Sequence, residues 1–459
     1  MNSRVADAYH TEKNTELPIE IQENVEIREQ NPVVITEINN KKEPAEKDYK
    51  IGEKIDLDLS EVEQISDVQK SSARSSITEL HGSEQGYLNG TDDAKMYYLE
   101  GINSGVLIQA RLRQPAEENI DYDLYILDSQ GYILTASENY TYLNGNYTCP
   151  ESVSYINLSS EVQDYYFYVH SSAGGSLSET YTIEYSISYL YDVYEPNDAI
   201  RDAAGFTVTS DGVTIDNASI STPIDTDWYI MTIPENRIYN QLMFSLTANS
   251  VNKCLVEVYD DINGYYQLRK KLSGNGTLNV QAGTYYIRVS YAGTELDKFK
   301  SDAVEDYTLK IRPILIPDKI IIKGYDCSNA NAGYASYPQG YYYRAVGNIE
   351  IRGFVTATDK ETNTTYAVEN ANVTAQIYNT AYNQFEYPYF YLREVTDQYT
   401  ESDGSYRISL SLAPCQDSFQ YSAAVYIHAY DMLLVRVFVT DKPSVQKTDY
   451  IYQLGSIMY

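Results

Sequence analysis

From about residue 80 onward, apolar and polar positions alternate with a period of two, in short runs separated by turn residues. Val106, Ile108, Ala110 and Leu112 alternate with Leu107, Gln109 and Arg111; Tyr165, Phe167 and Val169 with Tyr166, Tyr168 and His170; Tyr181, Ile183, Tyr185 and Ile187 with Thr182, Glu184 and Ser186. Successive side chains of a β-strand point to opposite faces, so each run predicts a strand with one buried and one wet face. Turn chemistry such as Asp128-Ser129-Gln130-Gly131 falls between the runs, as antiparallel sandwiches require. The expected fold is all-β: tandem antiparallel β-sandwiches of jelly-roll or immunoglobulin-like type.

The first 75 residues break this pattern. They are rich in Glu, Lys and Asn, hold only Tyr9 and Tyr49 as aromatics, and sustain no period of 2 or 3.6. A disordered acidic leader is expected over 1–75, with a short stretch around Ile51–Ile65 as a candidate turn of helix or docking strand. At 459 residues the chain exceeds one sandwich core and suits about three domains plus this tail.

Charge narrows the partners. The chain carries a net charge of −31, of which residues 1–75 account for −7 (seventeen acids against ten bases), leaving −24 on the rest. Phosphate backbones and anionic lipid surfaces repel such a protein, so nucleic-acid and membrane partners are not expected. No apolar run approaches the ~18 residues of a spanning helix. The four cysteines, Cys149, Cys254, Cys327 and Cys415, form no close pair, which removes zinc-knuckle and dithiol chemistry. Cys254 shares a strand face with Val256 and Val258 and reads as core filling, whereas a Cys327–Cys415 disulfide is an option if the protein is exported.

Two segments concentrate oxygen donors: Tyr194-Glu195-Pro196-Asn197-Asp198 and, some thirty residues later, Asp225-Thr226-Asp227-Trp228-Tyr229, which carries the only tryptophan. Calcium takes six to eight oxygens at about 2.3–2.6 Å, and two acidic loops can converge on an ion where one strand face cannot. The same residues also make a good linker and turn, because Pro fixes φ and Asn and Asp form Asx-turns. Both readings stand on the residues alone.

The surroundings of these loops resemble the bacterial pre-peptidase C-terminal domain, a small β-sandwich of secreted peptidases related to clostridial collagen-binding modules. The likeness runs through Tyr194–Asp198, Asp225–Tyr229, Leu255–Tyr259 with the turn Asp260-Asp261-Ile262-Asn263-Gly264, then Gly283–Val289 and Tyr307–Ile311. By that resemblance Glu195, Asn197, Asp198, Asp225 and Asp227 are calcium ligands. One departure is Val193, where some calcium-binding members carry an acid; Asp192 is the nearest substitute. Residues 76–190 read as a divergent copy of residues 191–313, displaced by roughly 120 to 135 positions. Asp93–Tyr98 matches Asp227–Tyr229, Leu124–Asp128 matches Val256–Asp260, Tyr165–Val169 matches Tyr285–Val289, and Tyr181–Tyr185 matches Tyr307–Ile311. The first copy lacks a Glu-Pro-Asn-Asp equivalent, so calcium is expected in the second copy and not the first.

Residues 314–459 form a third module. Gly353-Phe354-Val355, Glu369–Val373 and Thr400–Ile408 are similar to the landmarks of the carboxypeptidase regulatory-like, transthyretin-type sandwich, with a generic immunoglobulin-like sandwich as the alternative. Asp403-Gly404 reads as its hairpin turn. Modules of these kinds imply export, with a leader removed from a chain that works outside the cell or at its surface.

Catalytic signatures are missing: no His-Glu-x-x-His, no Gly-x-Ser-x-Gly, no phosphate loop, no dinucleotide fingerprint. His170 and His428 fall on polar strand faces, and carboxylate pairs such as Asp121/Asp123 and Asp260/Asp261 read as solvated acids in a chain with 65 of them. Tyrosine is abundant, 49 against nine Phe. Runs that place Tyr on both strand faces cannot be wholly buried, so Tyr265, Tyr266, Tyr341, Tyr342, Tyr343, Tyr387, Tyr389 and Tyr391 are candidates for a binding face. The function expected is non-catalytic, calcium-stabilised binding or adhesion toward a protein or polysaccharide. The competing class is the accessory region of a secreted peptidase or other hydrolase, with an unrecognised site near His428 and Cys415.

Overall fold

A computed structural model of the chain describes most of residues 80–382, 388–412 and 433–451, with shorter segments at 33–35, 50–55, 62–65 and 455–456. The architecture is all-β; among the described residues the only helical element is one 3-10 turn, Ile200–Asp202. The chain divides into two compact units, one spanning Asn31–Ile314 and the other containing Leu315–Tyr459.

The unit Asn31–Ile314 holds four main sheets arranged as two sandwiches. In the first, a sheet ordered Glu151–Ile156, Leu107–Arg113, Ser176–Ser188, Leu80–Leu88 faces one ordered Val62–Gln64, Ala94–Ile102, Gln163–Ala173, Asp121–Asp128, Ile133–Ser137. Their inner faces deliver the alternating residues of the sequence: Ile108, Leu112, Ile183 and Tyr185 from one sheet meet Leu99, Ile126, Phe167 and Val169 from the other. Each such side chain contributes about 1.5–3 kcal/mol by leaving water. In the second sandwich the sheets are ordered Ala204–Thr207, Thr226–Ile233, Gly283–Tyr291, Cys254–Ile262, Tyr265–Leu272 and Val33–Ile35, Val213–Ile220, Glu305–Leu315, Tyr239–Ala248, Gly276–Asn279. Cys254 is buried in the latter sandwich and forms no disulfide; Cys149, Cys327 and Cys415 lie outside the described residues.

The ladders of the two sandwiches share one register. Tyr97 opposes Phe167, which opposes Ile126; Tyr229 opposes Ile287, which opposes Val258. Each sandwich then closes its core with a pair of tyrosine hydroxyls at the matching positions, Tyr97 with Tyr181 at 2.8 Å and Tyr229 with Tyr307 at 2.7 Å. The first pair leaves no space beneath it: a Cβ on Gly86 would stand 2.3 Å from the Tyr181 hydroxyl oxygen and 2.7 Å from that of Tyr97.

Strand faces expected to be wet are covered. Tyr166, Tyr168 and His170 are buried, as are Gln109, Glu184 and Ser186. The reason lies in what packs on the outer faces. Tyr166 and Tyr168 join Met96, Tyr125, Leu127, Ile133 and Ala136 in a second apolar cluster, against which Ile55 and Val62 pack. These come from the segment 1–75, three pieces of which are thus paired. Val62–Gln64 runs parallel to Ala94–Ile102, as Ala204–Thr207 runs parallel to Thr226–Ile233. Lys54 bridges Tyr132, and Val33–Ile35 pairs in parallel with Val213–Ile220. Gln109, on the outer face of the other sheet, contacts the acidic loops of the second sandwich.

In the unit containing Leu315–Tyr459, Gly340–Asp359 is the hub of one sheet, pairing with Lys319–Asp326, Ala330–Tyr337, Thr364–Ala367 and Ser405–Leu412. The other sheet runs Pro388–Tyr399, Asn372–Tyr382, Leu433–Val439, Lys442–Ile451. Gly353 is opposite Tyr406, whose hydroxyl donates to the Ile321 carbonyl at 3.0 Å; a Cβ on Gly353 would lie 1.9 Å from that carbonyl oxygen. Gly404 adopts φ of 74°, and its N–H donates to the Glu401 carbonyl at 2.9 Å. The expected Asp403-Gly404 hairpin is instead a corner. The strands before and after it pair in different sheets, so the turn carries the chain across the sandwich rather than back along one ladder.

Candidate metal centre

The two acidic loops are zipped together at the junction of the two sandwiches. The Asn197 N–H donates to Glu195 Oε2 at 2.9 Å, the Trp228 N–H to the Asn197 carbonyl at 2.9 Å, and the Thr226 N–H to Asp198 Oδ1 at 2.8 Å. Asp225 accepts the Ser221 N–H, and Asp192 accepts the N–H groups of Tyr194 and Ser219. The Glu195-Pro196 peptide is cis. Alternation along Thr226–Ile233 sends Asp227 and Tyr229 inward and Trp228 outward. Trp228 packs with Ile200, Ala203, Ile230, Tyr259 and Tyr286, on the far side of the sheet from the carboxylates. The tryptophan therefore supports the strand and does not line the site.

Glu195, Asp225 and Asp227 each present an oxygen within 4.8 Å of the others. With Asn197 and Asp198, these residues are between 0% and 8% exposed. Among the described residues no lysine, arginine or histidine forms an ion pair with them; Arg111, which donates to the Pro223 carbonyl, is engaged by Glu184. Burial and the neighbouring negative charges push the Glu195, Asp198 and Asp227 carboxyls well above the ordinary range. Asp225 is raised by burial and held back by hydrogen bonds from Ser221 and Gln109, while burial lifts Asp192 to about 6. Asp227 Oδ2 accepts the Tyr307 hydroxyl at 2.7 Å, but Asp227 Oδ1 and both side-chain polar atoms of Asn197 are buried with no hydrogen-bond partner. A buried carboxylate oxygen and a buried amide left without partners cost free energy that a hard cation in an all-oxygen donor set would recover.

The sequence does not announce Gln109, Ser154 and Tyr307 as members of this site. Gln109 Nε2 donates to Asp225 Oδ1 at 2.9 Å and Asp198 Oδ2 at 3.0 Å, and Ser154 Oγ to Glu195 Oε2 at 3.3 Å. Both come from the first sandwich, where they look like ordinary polar strand positions; only the docking of one sandwich on the other gives them partners. Tyr307 was legible as a repeat landmark, but not as a donor to Asp227.

In the first sandwich Lys95, opposite Val169, holds the register position that Asp227 holds opposite Val289, and its ammonium pairs with Glu63 at 2.6 Å. A second buried acidic group lies elsewhere in that sandwich. Asp121 and Asp123, expected to be solvated, are 7% and 3% exposed, and the fully buried Glu151 accepts the Asn139 N–H at 3.1 and 3.0 Å. Burial and the charges of Asp123 and Asp121 push the Glu151 carboxyl well up. His170 Nδ1 stands 4.0 Å from Asp123, so this histidine is an interior residue rather than an exposed one. The tyrosine candidates divide. Tyr266 is half-buried against Tyr286, with ring centroids 4.9 Å apart, on the cluster around Trp228. Tyr387 and the side chains of Tyr265, Tyr341, Tyr342, Tyr343, Tyr389 and Tyr391 lie outside the described residues, as do His428 and Cys415.

No family model matches the chain, and no curated protein matches it. Solved structures that align with it include a periplasmic inhibitor of g-type lysozyme from Aeromonas hydrophila (9% identity, 28% of this chain and 96% of that one, TM-score 0.18). Another is the N-terminal CBM22-1–CBM22-2 tandem domain of Paenibacillus barcinonensis Xyn10C (9% identity, 54% and 100%, TM-score 0.17). A third is a GH2 β-galacturonidase from Eisenbergiella tayi bound to galacturonate (9% identity, 50% of this chain but 35% of that one, TM-score 0.15). At these scores the likenesses carry no weight for function. Among the described residues no helix is long and apolar enough to cross a membrane.

Proposed function

We propose that this chain is a non-catalytic binding protein of the cell exterior, built on tandem β-sandwiches and stabilised by a structural calcium ion at their junction. The observation that carries the reading is the buried, all-oxygen cluster of Glu195, Asp225 and Asp227 with no cationic side chain paired to it among the described residues. Glu195, Asp225 and Asp227 supply carboxylate oxygens, with Asn197 and Asp198 alongside. The ion neutralises crowded carboxylates and fixes two loops that otherwise repel each other. It supplies no chemistry beyond that charge. The ligand class is an extracellular protein or a polysaccharide, in keeping with a strongly acidic chain that has no use for phosphate or anionic lipid.

The test is thermal melting of the full chain in calcium and in chelator, paired with co-sedimentation on insoluble polysaccharides and on fibrous protein. Calcium is expected to raise the midpoint, and a midpoint unmoved by chelator would sink the metal reading. Absence of co-sedimentation with every material would sink the binding role.

A further inference from the structure

We propose that Gln109, carried by the first sandwich, is itself a ligand of the cation held by the second, turning its amide oxygen to the ion, so that cation binding fastens the two sandwiches together. The inference rests on the calcium reading above and deepens it.

Gln109 is 1% exposed, and its Nε2 stands where three acids converge: 2.9 Å from Asp225 Oδ1, 3.0 Å from Asp198 Oδ2 and 3.5 Å from Glu195 Oε1. An amide nitrogen has two hydrogens, so it cannot serve all three acceptors well. On its other side Oε1 has only long contacts, 3.5 Å from Ser221 Oγ and 3.5 Å from Thr222 Oγ1. Rotating the amide by half a turn exchanges these two environments. Oε1 then joins the carboxylates, and Nε2 faces two hydroxyls, which accept hydrogen bonds as readily as they donate them.

Charge decides between the two arrangements. With no ion present, the positive end of the amide dipole is drawn to the carboxylates. With a dication among them, that end is repelled and the carbonyl oxygen becomes a ligand of the kind calcium takes from Gln and Asn. Asp227 Oδ1 and Asn197 Oδ1 are two further buried oxygens of these residues that no donor satisfies. The contact also sits within an existing interface, since Ser154 Oγ donates to Glu195 and Arg111 Nη1 donates to the Pro223 carbonyl at 3.1 Å.

The experiment is calcium titration of the full chain by calorimetry, on the wild type and on Gln109→Leu and Gln109→Glu, with chelator melts of each to establish folding. Removing a ligand oxygen in Gln109→Leu is expected to weaken calcium at least about tenfold, the lower end of what lost supporting groups cost metal sites. Gln109→Glu keeps the oxygen and adds charge, so it is expected to bind calcium more tightly than the wild type while melting lower in chelator. Wild-type binding with Gln109→Leu unchanged or tighter would overturn the ligand role and leave the calcium site standing. A wild type that takes no calcium would overturn both. If Gln109→Leu fails to fold, Gln109→Glu decides alone: calcium affinity no higher than wild type refutes the proposal.

Discussion

Asp227→Asn is the sharpest probe of the junction, because it is expected to move stability in opposite directions with and without calcium. The side chain is 0% exposed, with Oδ2 held by Tyr307 at 2.7 Å and Oδ1 unpartnered. Two unit charges at the 4.8 Å spacing that bounds this trio repel by about 3.5 kcal/mol at an effective dielectric of 20. Asp227 enters two such pairs. Proton uptake relieves part of that repulsion in the metal-free protein, so the gain in chelator is set at about 1–3 kcal/mol. For a unit of this size that is roughly 2–4 °C per kcal/mol in Tm. In calcium the sign reverses. At a hundredfold excess over Kd the wild type gains about 2.7 kcal/mol from the ion, and the amide, a weaker and uncharged donor, forfeits most of it. Differential scanning calorimetry on both proteins in both buffers reads all four midpoints. A variant less stable than wild type in chelator would refute the premise that this carboxylate is electrostatically strained.

Gly86→Ala is expected to cost about 1–3 kcal/mol by driving a methyl into the Tyr97–Tyr181 pair, whereas Gly90→Ala, with nothing within 4 Å of the new Cβ, is the matched control; equal urea midpoints would refute the steric account. Glu151→Gln should stabilise the first sandwich at neutral pH. The folded-state value of Glu151 is raised, so its contribution is complete below the unfolded value near ~4.3 and is lost as pH rises through the folded one. Wild-type Tm should thus fall relative to the glutamine variant as pH rises above the unfolded value, and parallel profiles would count against it. At the leader strand, Glu63→Ala should cost at most about 1 kcal/mol, since Glu63 and Lys95 both reach solvent. Val62→Asp places a charge against the cluster of Met96, Tyr166 and Tyr168 and should cost about 2 kcal/mol or more. Equal losses would mean that the strand is held by charge rather than packing.

Period-two alternation located the inner strand faces because Phe167, Ile183 and Leu112 face a core built from their own sandwich. The same alternation misjudged Tyr168, Gln109 and Glu184. The burial of Tyr168 and Gln109 depends on segments distant in sequence, Val62 in one case and the loops at Asp198 and Asp225 in the other, and a local pattern holds no record of what docks from afar; Glu184 is engaged by Arg111 and Arg113. The acidic loops were legible as oxygen donors because Glu, Asn and Asp crowd two short turns. That they are buried, that a glutamine from the other sandwich stands among them, and that Trp228 turns away from them all follow from packing and strand parity. At Asp403-Gly404 the positive-φ demand was readable, but whether the chain re-enters its own ladder or crosses to the facing sheet depends on the sheets themselves.

The parallel pairing of Val33 with Val213 has a consequence in time. The two residues are separated by 180 positions, so at ~5–20 residues per second the strand 33–35 leaves the ribosome about 9–36 s before its partner exists. The first sandwich can fold in that interval with its own strand Val62–Gln64, whereas the sheet edge that receives Val33–Ile35 must wait for Val213–Ile220 and Glu305–Leu315. The metal centre waits as well, since Gln109 emerges well before Asp225 and Tyr307 later still. The last strand of the second sandwich, Glu305–Leu315, thus completes three things at once: the tyrosine pair, the support of Asp227, and the platform on which the strand Val33–Ile35 comes to rest.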